Sequence, residues 1–138
     1  MKVHSTNYYN TFIEVAEDCP EEKGLVPPIK GNKLSVANLQ FEMISQQPYH
    51  YTSDEVLFQV YALRKDLIQR EYPEAKAQFF SKGQPCLRAS PLTKRYGFGI
   101  HSDKEGKIAL FGRESSEYTK LIEDKTIEKV KAMRSKRA

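Results

Sequence analysis

The sequence predicts an α+β domain, a mostly antiparallel sheet packed with three to four helices. Three features carry that prediction. Thr52 and Glu55 form a capping box ahead of a strongly periodic apolar run. Two strand-like stretches, Tyr96 to Ser102 and Lys107 to Gly112, flank a turn of the type Asp103-Lys104-Glu105-Gly106. Near the end, IEKVKAM alternates in the manner of a strand, with Val130 and Ala132 on one side.

Taken in order, Asn10 to Ala16 puts Phe12 and Ala16 on one side and Ile13 and Val15 on the other, which suits a strand buried on both faces. The acidic EDCPEEKG and then VPPIKGNK, with paired prolines, exclude helix and predict a long loop. Ser35 is placed to cap a helix reaching about Ser45, with Val36, Leu39, Gln40 and Met43 along one stripe, and Pro48 ends it. The next helix runs from Asp54 to Gln69, with Val56, Phe58, Val60, Tyr61, Leu63 and Leu67 as a broad apolar face. Pro73 opens a short third helix that Gly83 closes. The joints between these helices lack the short Gly-containing turn of a helix-turn-helix motif. After the hairpin, Ser115 or Ser116 caps a helix through Ile122. Residues 1–133 are read as one domain and 134–138 as a basic tail.

The composition is that of a soluble globular protein: 138 residues, 39% hydrophobic and 29% charged, with seven Phe and eight Tyr to fill a core in the absence of Trp. No apolar run approaches the roughly 20 residues of a membrane span, and MKVHSTNYYN lacks the apolar stretch of a secretory signal. A cytoplasmic protein is expected, with no membrane partner. Cys19 and Cys86 are too few for a disulfide framework and are expected to be unpaired. The net charge of +4 divides unevenly: residues 1–69 hold six Lys and Arg against nine Asp and Glu, and residues 70–138 hold sixteen against nine. If the fold keeps the halves apart, one face is basic and attracts phosphates or nucleic acid.

The segment GQPCLRASPLTKRYGFGIHSD, Gly83 to Asp103, concentrates the chemistry. Ser90 and Pro91 suit the start of a single helical turn, and Arg88, Lys94 and Arg95 lie within a few residues of it. Gly97 and Gly99 permit close approach of a backbone or a ligand. With His101, these residues make a candidate anion site. The glycines do not complete a dinucleotide fingerprint, and there is no phosphate-binding G-x-x-x-x-G-K-[ST] loop. Cys86, His101 and Asp103 are the weaker candidates for a thiolate–imidazole pair with an orienting carboxylate. Two aromatic clusters, His4 with Tyr8 and Tyr9, and Tyr49-His50-Tyr51, offer stacking surfaces. The acidic stretch from Glu14 to Glu22 lacks calcium-loop spacing, and no residue set points to a metal or a cofactor.

The stretches HSTNYYNTFIEVAEDCP, SVANLQFEM, YTSDEVLFQVYALRK, FFSKGQPCLRASPLTKRYGFGIHSD and VKAMRSKR cover most of the chain. In them the sequence resembles a family of short, mostly bacterial proteins known only as a domain of unknown function. The resemblance implies a stand-alone cytoplasmic domain and carries no activity or ligand. The functional expectation therefore comes from the residues. It is a non-enzymatic binding protein that takes an anionic small molecule or nucleic acid through 83–103. The alternatives are a small enzyme using Cys86 or His101 and a protein–protein adaptor acting through the acidic first half.

Overall fold

A computed structural model describes residues 4–135. Four strands form one sheet in the order β3-β2-β1-β4, where β1 is Thr11–Glu14, β2 Phe98–Ser102, β3 Ile108–Gly112 and β4 Glu128–Lys131. The β1–β2 and β2–β3 pairs are antiparallel and the β1–β4 pair is parallel, so the sheet is mixed with antiparallel pairing in the majority. The hairpin forms on the expected turn: Gly106 takes φ +83° and the Asp103 carboxylate accepts from the amides of Glu105 and Lys107.

Among the described residues five α-helices accompany the sheet: α1 Val36–Gln46, α2 Ser53–Arg64, α3 Tyr72–Phe80, α4 Pro91–Lys94 and α5 Ser116–Glu123. Ser35, Thr52, Ser90 and Ser115 cap their helices with side-chain oxygens. The Thr52–Glu55 capping box is formed as expected, and Ser35 makes a second one with Asn38.

Two layers of core follow from strand alternation. On one face Ile13, Ile100 and Ile108 pack with Ile44, Val56 and Leu92 from the helical layer. On the other, α5 lays Tyr118 edge-on against Phe12, with ring centroids 4.9 Å apart. The Tyr118 hydroxyl also accepts the Val15 amide at 2.9 Å. A third cluster, centred on Phe58, Ala62 and Phe80, joins α2 to α3. The outer edge of β3 is covered by the chain between α1 and α2: Tyr49 donates its amide to the Ile108 carbonyl, and Ile108 donates to Tyr51.

Three expectations are corrected. The second helix stops at Arg64 rather than Gln69, because Asp66 turns left-handed at φ +56° and Leu67 donates back to the Ala62 carbonyl. Leu63 is 51% exposed, and Ala62 takes the buried place beside it. On α1 the buried line is Ala37, Gln40 and Ile44, while Val36, Leu39 and Met43 flank it half-exposed. Of the basic tail, Arg134 is exposed and Ser135 donates its amide to the Asp18 carboxylate. Residues 136–138 lie outside the described residues.

Candidate functional site

The candidate residues of the 83–103 segment do not converge on one place. Ser90 begins α4, but its hydroxyl accepts the Leu92 amide and its carbonyl takes those of Thr93 and Lys94. The turn therefore has few free donors to offer an anion. Arg88 donates from Nε to the Lys131 carbonyl at 2.7 Å, and its own carbonyl accepts from Met133. Its guanidinium thus clamps the end of β4. Lys94 is half-buried and Arg95 is exposed. Gly97, at φ +78°, lies so close to the Lys23 carbonyl that a Cβ there would sit 2.6 Å from the oxygen. At Gly99 a Cβ would meet the Phe12 ring at 2.4 Å. Both glycines serve close packing within the chain.

His101 and Cys86 are separated by the sheet. His101 pairs in register with Phe12 on the α5 face, with Nδ1 2.8 Å from the Tyr49 hydroxyl. Its pKa lies below the usual value because of burial, against which the charges of Asp103 and Asp124 act. Asp103 keeps its place near the imidazole but is occupied in the hairpin turn. Cys86 lies on the helical side, 3.4 Å from the Tyr8 hydroxyl.

What does converge is a groove between α1, α2 and the loop 84–91. Its inner compartment has a volume of about 190 Å³ and is walled by Val36, Leu57, Phe79, Cys86, Ala89 and Pro91. Gln40, Gln84 and Ser90 are polar residues of its lining. An adjoining outer compartment of about 510 Å³ opens between Val60 and Tyr61, with Arg64 and Lys65 at its mouth. Val36, Gln40, Leu57, Gln84 and Pro85 line both, so the two form one elongated cavity.

Each wall has a sequence cause. The third helix ends at Phe80, and the Gln84 side-chain Nε2 donates to the Phe79 carbonyl, which ties the loop to the helix end. The N-terminal segment is strapped to the start of α2 through Thr6, whose amide and hydroxyl both bond Asp54, and this carries Tyr8 to Cys86. Gln40 is 2% exposed, and its Oε1 accepts from Ser90 Oγ at 2.6 Å. Among the described residues its Nε2 has no partner. No fully buried side-chain nitrogen or oxygen there lacks one, so this donor borders the open space of the cavity that Gln40 lines.

Of this set the sequence singled out Cys86 and Ser90. It placed Gln40 in a packing stripe and gave no role to Arg64, Lys65 or Gln84. The signal at position 40 is an amide within an apolar helix face.

Fold and groove define a small α+β domain whose helical layer is cleft on the side away from α5. The chain belongs to a family of unknown function, DUF6157, whose family model matches residues 3–138. No curated protein and no solved structure matches the chain. No helix among the described residues is long and apolar enough to cross a membrane.

Proposed function

We propose that the protein is a non-enzymatic binding protein for a small anionic ligand with an apolar body, held in the groove that the loop 84–91 closes. The unpartnered amide donor of Gln40 carries this reading. A ligand oxygen in the inner compartment accepts from this N–H, a hydrogen bond worth about 0.5–1.5 kcal/mol net. The hydrophobic walls supply contact area, and Arg64 and Lys65 supply positive charge at the open end. A fatty or aromatic carboxylate, or an organic phosphate of similar shape, meets all three demands.

Titration with octanoate and phenyl phosphate, against octanol and benzyl alcohol as uncharged counterparts, tests this. The anions are expected to shift the Gln40 side-chain amide and the backbone amides of 84–91 in nitrogen-correlated NMR spectra. Joint Arg64→Glu and Lys65→Glu substitution is expected to weaken them about tenfold, the loss of charge-assisted contacts worth roughly 1.5 kcal/mol. Absence of any shift at Gln40 with all four probes overturns the reading.

A further inference from the structure

We propose that Cys86 is a thiolation site served by this groove, exchanging with small disulfides that carry carboxylates. The inference rests on the groove reading and adds a covalent fate for what enters it.

Four observations place the chemistry. The Cys86 thiol is half-buried and opens onto the inner compartment, where a ligand atom can reach it. Cys19, by contrast, directs its sulfur to the Glu21 carbonyl in the acidic turn. The Gln40 side chain is almost wholly buried, lines the same compartment and keeps an unused N–H donor, which fits a carboxylate or carbonyl oxygen of the incoming molecule. The Tyr8 hydroxyl lies 3.4 Å from the sulfur. Burial first, and then the contact with Cys86, raise the pKa of Tyr8 against the opposing charge of Arg88, so the phenol keeps its proton and is placed to donate to the sulfur. At the mouth, Arg64 and Lys65 favour anionic over cationic reagents.

The step balances without a further oxidant. The Cys86 thiolate attacks one sulfur of the small disulfide, a new S–S bond forms and the old one breaks. The departing thiolate takes up a proton, so Cys86 is oxidised and the leaving sulfur is reduced. The Tyr8 hydroxyl is placed to donate to the sulfur during exchange, and reactivity follows thiolate character and access.

The test uses the full chain with Cys19→Ser and three disulfides of nearly equal shape. These are 3,3′-dithiodipropionate (anionic), bis(2-hydroxyethyl) disulfide (neutral) and cystamine (cationic). Rates of adduct formation at Cys86 are followed by mass spectrometry and divided by those of the same chain unfolded in urea. The normalised rate for dithiodipropionate is expected to exceed that for cystamine at least tenfold. Octanoate is expected to slow the reaction. Joint Arg64→Glu and Lys65→Glu substitution should invert the preference. Tyr8→Phe should slow all three reagents roughly three- to tenfold, the loss of one hydrogen bond, with their ratio unchanged. Equal normalised rates for the three reagents, or a Cys86 that reacts only in urea, overturn the inference. If octanoate still shifts the Gln40 amide in that case, the groove reading stands and the thiol proposal alone falls. If it does not, both fall.

Discussion

Gln40 sits on a helix face otherwise given to Ala37 and Ile44, where an amide is tolerated only when its polar atoms find partners. Ser90, fifty residues away in sequence, supplies one of them, and no local pattern reveals that pairing. The same distance effect explains which site residues were legible. Arg88 and Arg95 look alike in sequence, yet one clamps β4 and the other faces solvent. Arg64 and Lys65 read as an ordinary helix end and stand at the cavity mouth. His101 shows what burial does to a single group. Its folded-state pKa lies below the usual value of about 6.5, so the native protein takes up this proton at lower pH than the unfolded chain does. Stability from this group is complete above about pH 6.5 and is lost as pH falls through the folded pKa. Tyr49, Asp103 and Asp124 surround the ring, and the two carboxylates limit the effect without reversing it. Thermal melts between pH 7.5 and 5 are expected to fall more steeply for the wild type than for His101→Gln. Parallel profiles would show that the imidazole titrates equally in both states.

At the scale of elements, the end of α2 offers a local test of strain. Asp66 donates its amide to Leu63 and Leu67 donates to Ala62, the paired bonds of a helix terminated by one left-handed residue. That residue is an exposed Asp at φ +56°, where glycine meets no Cβ penalty. Asp66→Gly is therefore expected to stabilise the domain by about 0.5–1 kcal/mol, read as a higher urea midpoint at constant slope. A lower midpoint would mean that the Asp side chain contributes more than the conformation costs. Elements with a chemical start signal were legible, because caps act within four residues: Ser35, Thr52, Ser90 and Ser115 all mark helix starts. The hairpin was legible for the same reason, through Gly106. The end of α2 was not, since apolar periodicity runs on through Leu67 while the backbone turns at Asp66. Nor was the parallel pairing of β1 with β4, because alternation in IEKVKAM identifies a strand and says nothing of its neighbour.

Across the whole molecule, the sheet order decides where the charge goes. The strand β1 comes from the acidic half of the chain and lies between β2 and β4 from the basic half. The acidic stretch that follows β1 is thereby laid against basic residues: Glu17 pairs with Lys131 at 3.5 Å, and Arg113 donates to the Glu21 carbonyl at 3.0 Å. The condition for one continuous basic face, that the halves stay apart, is not met. A duplex laid beside β4 meets Lys131 with the Glu17 carboxylate next to it. Binding of a 20-base-pair DNA is therefore expected to be weak and without sequence preference. About three phosphate contacts would give a slope of log K against log salt near −2 to −3. Glu17→Lys removes that carboxylate and adds a cation beside Lys131, so it is expected to strengthen binding and steepen the slope by about one unit. Fluorescence anisotropy from 20 to 200 mM salt measures both slopes. A wild-type slope steeper than about −5 would demand a contiguous basic track that this interleaving of strands denies.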